Sequence, residues 1–216
     1  MSPLDRIKTR LSSFLASREG QARRAEALRR FQTEFLLRLG LERGHRFLDL
    51  EAGSLAAGSG LIEFLEPGHY TALVADERKL ERLRRRVVEA GLDRKAPRWI
   101  QARDPAQVEL PGEVDWVYGL DVLPALDDER LESVLGLVAR TLAVRGVLCA
   151  DARLGGPPVV ERSGAQGPRT LEDYRRAARR HGFTLRDLGT LSGLGHTTGD
   201  PERDGRHMLL LRRAEA

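Results

Sequence analysis

Asp49, Glu51 and Gly53 fall at alternate positions in RFLDLEAGSLAAGSG, residues 46–60, where a short apolar run breaks into small residues. A carboxylate that closes a buried strand, followed by a loop of small residues, suits a nucleotide-type cofactor. Backbone groups approach a ligand closely only where no side chain intervenes. Glu51 inside that loop, and the small number of glycines, depart from a tight anion-binding loop. Asp49 and Gly53 also serve simply as turn residues in many loops. Further carboxylates follow the later apolar runs: Asp76 in LVADERKL and Asp104 in IQARD. Gly119 ends VDWVYG, and Tyr118, Asp121 and Asp151 lie at neighbouring strand ends, where they are the candidates for removing a proton. No one of them stands out as a general base. Asp104 before Pro105 is equally a turn opener. His45, His69, His181, His196 and His207 are scattered without metal-ligand spacing. His196, in GLGHTTGDPERDG, reads first as a solvated loop histidine.

Positioning these residues requires an alternation of strands and helices. Apolar runs at 46–50, 70–75, 97–102, 114–119 and 146–151 read as strands, with the last entered through a turn at Val144-Arg145-Gly146. Helical spacing is read at 59–66, 77–90, 127–142 and 170–181, with Thr170 as an N-cap. Strands at 183–191 and 206–213 close the chain, joined by a loop without a helix, and should pair antiparallel. Strands separated by helices imply a doubly wound, mostly parallel seven-stranded α/β sheet, Rossmann-like, with helices on both faces and an antiparallel last strand. Such a sheet binds ligands at the carboxyl ends of its strands, where strand order reverses. The Gly- and Pro-rich loop at 154–169 reads as a mobile connection.

Residues 1–40 read as an N-terminal helical extension, with helices at 3–18 and 21–40 around Gly20, and residues 41–216 as the α/β domain. The extension carries nine basic and four acidic residues, while the whole 216-residue chain is +4. Its basic faces read first as solvated helix surface. Nucleic acid, an anionic lipid surface and an acidic substrate are the other partners that charge admits. Phe31, Phe35 and Leu39 form an apolar stripe that is expected at the pocket mouth or in a homo-oligomer. Charged residues interrupt the N-terminal apolar positions, unlike a secretory signal. No run is long enough to cross a membrane. Cys149, the single cysteine, lies in the apolar run GVLCA and reads as a buried, inert thiol. A cytoplasmic protein is the expectation.

From about residue 36 to 213 the chain resembles the class I S-adenosylmethionine-dependent methyltransferases. FLDLEAGSL is similar to the family's Asp-x-Gly-x-Gly-x-Gly, with Glu51 in place of the first glycine and Leu55 in place of the third. GSLAAGSGLIEFLEPGHYTA carries the most specific likeness. VDWVYGLDVLPAL and TLAVRGVLCAD resemble the family's fourth and fifth strands, with Asp115 kept and Ala125, Val144 and Arg145 departing. GH…RHMLLLRR resembles the ending of one subgroup, interrupted by TTGDPERDG.

The resemblance implies S-adenosylmethionine as cofactor. It implies Asp49 near the methionine amino group and Asp104 near the adenine amino group. The acidic residue that takes the ribose hydroxyls falls on Val74, with Asp76 two residues later as a substitute. Glu51 then faces either the cofactor's ammonium or its carboxylate. Two like charges at 4 Å repel by ~1 kcal/mol even in water. The function implied is methyl transfer to a small or medium organic substrate. The alternative is an inactive methyltransferase-like binding or scaffold protein.

Overall fold

The computed structural model of the chain describes residues 20, 26–27, 30–50, 55–155 and 169–214. The helix expected at 3–18, and Glu51 and Gly53, lie outside the described residues, as does most of the loop at 154–169. Gly20 itself is helical rather than a break.

The first strand, β1 (Phe47–Asp49), lies between β2 (Tyr70–Val74) and β4 (Val114–Gly119), parallel to both. Beyond β2 is β3 (Arg98–Gln101), and beyond β4 is β5 (Leu142–Ala152), again parallel. The last two strands, β6 (Phe183–Thr190) and β7 (His207–Arg213), are antiparallel to each other, and β7 runs antiparallel to β5. The sheet order is β3-β2-β1-β4-β5-β7-β6. Strand order therefore reverses between β1 and β4, and the carboxyl edge at such a switch point is where sheets of this kind bind ligands. This is the doubly wound α/β sheet expected from the alternation of elements.

The central strands are apolar on both sides because both faces are covered. One face presents Phe47, Tyr70, Ala72, Trp116 and Cys149 to helices α1 (30–38), α2 (Leu55–Phe64) and α3 (Glu77–Glu89). The other presents Leu48, Leu73, Val117 and Leu148 to α4 (Asp128–Thr141) and α5 (Leu171–Arg180). α3 turns Leu80, Leu83 and Val87 inward, as its helical spacing predicts, but Val88, which the same reading placed inside, is exposed. Thr170 and Asp173 cap α5 reciprocally, which satisfies two otherwise orphaned backbone donors.

Three local expectations are corrected. The Val144-Arg145-Gly146 segment is not a turn but an irregular stretch of β5. There Val114 opposes Leu142 and Trp116 already opposes Val147, so the extra residues bulge out and expose Val144. The loop between β6 and β7 contains a short helix, α6 (Pro201–Asp204), capped by Asp200. α2 begins at Leu55, four residues before the expected start, so Gly58 lies inside a helix.

The described part of the N-terminal segment is integral to the core. α1 buries Phe31, Phe35 and Leu36, and Gly40 ends it at φ +101°, a conformation a β-carbon would disfavour. Because Leu36 is fully buried, Leu36→Ala should cost about 2–5 kcal/mol in a denaturant melt. A loss below about 1 kcal/mol would show that α1 is only laid on the surface.

Candidate functional site

Asp49 ends β1 at the switch point and is 8% exposed. The Tyr70 hydroxyl donates to its Oδ2 at 2.7 Å, reaching along the same sheet face from the start of β2. That bond explains Gly58. A β-carbon at residue 58 would lie 2.8 Å from the Tyr70 hydroxyl oxygen, so α2 can cover the pair only with glycine there. A glycine inside a helix costs about 1 kcal/mol relative to alanine and needs such a reason. Burial, with Asp49 beside it, pushes the Tyr70 hydroxyl well above its ordinary pKa. Neither Tyr70 nor Gly58 was read from the sequence. The signal was the glycine itself, once the helix is known to start at Leu55.

Asp76 and Asp104 stand just past the ends of β2 and β3, on the same carboxyl edge as Asp49. Asp76 caps α3, its Oδ1 accepting from Lys79 N at 2.7 Å. Asp104 caps a 3₁₀ turn, its Oδ1 accepting from Ala106 N at 2.9 Å. Both are thus turn-forming residues, and each cap uses one carboxylate oxygen. Val74, at the end of β2, is fully buried among the apolar residues beneath α3. Gly119 ends β4, where a β-carbon would come within 3.2 Å of Leu50 Cδ1 and Val122. Its small size is explained by packing. A separate cavity of about 250 Å³ lies at the opposite edge of the sheet, lined by Arg46, His69, Arg98 and Glu113. It is remote from the carboxyl ends of the strands.

On the β4–β5 side of the crevice the structure gathers Tyr118, Asp121 and Asp151 with three residues the sequence did not single out for chemistry together. Asp151 is fully buried. Its Oδ1 accepts from Asp121 N at 2.7 Å and its Oδ2 from Arg206 Nη1 at 3.2 Å. Asp121 takes a left-handed backbone, φ 64°. Its own carboxylate accepts from Arg206 Nη1 at 2.6 Å and from Arg203 Nη2. His196 is not solvated but 3% exposed, and it stacks on Phe31 of α1 with ring centroids 4.5 Å apart. Among the described residues, His196 Nε2, the Tyr118 hydroxyl, Arg203 Nε and Arg206 Nε are buried without a hydrogen-bond partner. Arg203 was hidden in the TTGDPERDG interruption, and Arg206 was read only as the first residue of the last strand. Their signal was a pair three residues apart immediately before the last strand.

Solved structures with this topology were found by comparison of the whole chain. The glycopeptide N-methyltransferase MtfA superposes with a TM-score of 0.65 at 16% identity, covering 85% of this chain and 89% of that one. An S-adenosylmethionine-dependent methyltransferase from Clostridium acetobutylicum gives 0.64 at 12% identity, covering 88% and 92%. The YcgJ protein from Bacillus subtilis gives 0.65 at 13% identity, covering 86% and 99%. The chain has the class I S-adenosylmethionine-dependent methyltransferase fold. No protein-family model matches its sequence, and no curated protein matches it. MtfA has been crystallised with S-adenosylmethionine, S-adenosylhomocysteine and sinefungin. Both groups of residues stand at the carboxyl edge of the sheet, on opposite sides of the switch point between β1 and β4.

The two sides differ in electrostatics. Burial, and secondarily the nearby Asp121 carboxylate, raise Asp151 from an ordinary 3.8 to about 6, although Arg206 acts in the opposite direction. Burial, then Arg203, lower His196 below its usual range. Burial raises Tyr118, whose hydroxyl the neighbouring Gln32 does not satisfy with a formed hydrogen bond. Cys149, beneath the same residues, is raised by burial and is an inert core thiol.

An acid raised by folding opposes folding when ionised. The cost from Asp151 is absent below about pH 4 and complete above about pH 6, at about 3 kcal/mol. Relative to Asp151→Asn, the wild-type chain should therefore lose about 3 kcal/mol of stability between pH 4 and 7, read from denaturant melts. A pH-independent difference would show that Asp151 is not strained by its burial.

Proposed function

We propose that the chain is an S-adenosylmethionine-dependent methyltransferase acting on a small or medium organic acceptor. The observation that carries this reading is Asp151. It is a fully buried carboxylate near neutrality, held at a strand end beside the switch-point crevice, among other buried polar groups with no partner. Active sites tune their titratable groups by burial and specific charge partners, the two causes that act on Asp151.

The donor set on the cofactor side fits this reading. Asp49 faces the methionine end of the cofactor, and Asp104 its adenine amino group. The caps made by Asp76 and Asp104 each engage one carboxylate oxygen, so the second can take a ligand hydroxyl or amine. Glu51 and Gly53 complete the loop between Asp49 and α2. When bound, S-adenosylmethionine supplies an activated methyl group. The chain's own part is to hold an acceptor in line, exclude water and receive a proton. Positioning and desolvation supply most of the barrier reduction in such a displacement. Asp151, half protonated near pH 6, is the proposed acceptor of the proton.

One observation favours the second reading, a non-catalytic methyltransferase-like binding protein. Val74 offers no acceptor to a ribose diol, and its full burial leaves no room for an unpaired charge there. Calorimetric titration of the full chain with S-adenosylhomocysteine separates the two readings. The methyltransferase reading expects measurable binding that Asp104→Ala weakens by about tenfold. An absence of heat at millimolar ligand would favour the binding-protein reading.

A further inference from the structure

Two arginines converge on one carboxylate at the acceptor side of the crevice, and their hydrogen bonding is incomplete. Arg206 Nη1 donates to both Asp121 and Asp151, and Arg203 Nη2 donates to Asp121. The Nε–H of each guanidinium is buried and has no partner among the described residues. Buried donors are nearly always paired, so two such vacancies side by side call for a reason. A guanidinium edge presents two parallel donors that match the two oxygens of a carboxylate. Here Asp121 does not fill those edges.

Asp121 is also poorly suited to be a permanent partner. Its side chain is 47% exposed, while Arg203 and Arg206 are 27% and 16% exposed. Asp151 is different: it is fully buried and keeps Arg206 in place without Asp121. The ring of His196 lies within electrostatic reach of both Arg203 and Asp121, and its Nε2 is buried and unpaired. Phe31 stacks on that ring. An aromatic wall, an unpaired imidazole nitrogen and two under-used guanidinium groups make a recognition site for a small organic anion.

We propose that Arg203 and Arg206 bind the carboxylate of an anionic methyl acceptor, and that the Asp121 carboxylate occupies this site in the free chain. The displaced Asp121 stays tethered nearby, so the incoming carboxylate adds one negative charge, which the two guanidinium groups share. Asp121 then moves into solvent, where it is already half exposed. The two guanidinium groups gain a ligand that reaches their Nε donors. That the bound molecule is a methyl acceptor rests on the methyltransferase reading. The anion site itself does not.

The test uses the full chain labelled with ¹⁵N, following the arginine Nε–Hε resonances as sodium acetate is added, with sodium chloride and sodium phosphate at matched ionic strength. Acetate should shift the Arg203 and Arg206 signals saturably, and chloride should not. Asp121→Asn removes the competing carboxylate, and asparagine is among the residues that best tolerate a left-handed backbone. It should tighten acetate binding by about tenfold. Arg203→Gln should abolish the response of Arg206 to acetate. If Asp121→Asn does not fold, the wild-type titration and Arg203→Gln still decide the matter. Equal shifts with chloride, or no saturable shift with acetate, would overturn the proposal. Tighter binding of phosphate than of acetate would overturn the assignment to a carboxylate. None of these outcomes depends on cofactor binding, so loss of the anion site and failure of the S-adenosylhomocysteine titration are separable.

Discussion

Burial of one carboxylate, Asp151, dictates how the carboxyl edge of the sheet is assembled. A charge removed from water must be offset by donors in fixed positions. One donor is the backbone N–H of Asp121, a residue in the left-handed conformation. The other is Arg206, one residue before β7, which ties the β6–β7 connection to β4 and β5. Arg203 follows from α6 through the same Asp121 carboxylate. His196, in the same connection and within electrostatic reach of Arg203 and Asp121, stacks on Phe31 of α1. One ionisable group thus links the last hairpin and the N-terminal helix to the centre of the sheet. The remaining offset is incomplete, which is why Asp151 stays near neutrality.

The other side of the carboxyl edge is organised by a tyrosine–carboxylate hydrogen bond. Tyr70 fixes Asp49 across β1 and β2, and Gly58 lets α2 close over the bond. Asp76 and Asp104 each start the element that follows their strand. A carboxylate that caps a turn is also held at a defined place on the edge. In these two residues local structure and ligand presentation are therefore compatible, and a cap does not argue against a site. Val74 is the exception. It belongs to the core beneath α3, and the edge has an apolar residue where the family resemblance implies an acidic one.

The fold was legible because its signals are periodic and redundant. Apolar runs such as FLDL and VYG mark strands buried on both faces, and Leu80, Leu83 and Val87 mark the inner face of α3. Thr170, Asp173 and Gly182 state both ends of α5 in local chemistry alone. What misled was local composition without tertiary context. Gly58 looked like loop sequence because a glycine's purpose, room for Tyr70, lies on another strand. Arg145-Gly146 looked like a turn, although sheet pairing absorbs it as a bulge. His196 looked solvated because nothing near it in sequence foretells Phe31, which comes from the start of the chain. Arg203 and Arg206 looked like surface charge because their partner, Asp121, is more than eighty residues away. Backbone-forming signals are short-range, whereas the site depends on pairings between distant elements.

The central claim is that the carboxyl edge, with Asp49 and Asp104 on one side and the Asp151 group on the other, is a working methyltransferase crevice. A crystal structure of the chain grown with S-adenosylhomocysteine tests it most directly. The account predicts the ligand across the β1–β4 switch point, its adenine against Asp104 and its sulfur facing the Asp121–Asp151 side. A ligand bound instead in the cavity near Arg46 and Arg98, or α2 and its preceding loop closed over an edge that excludes it, would contradict the account.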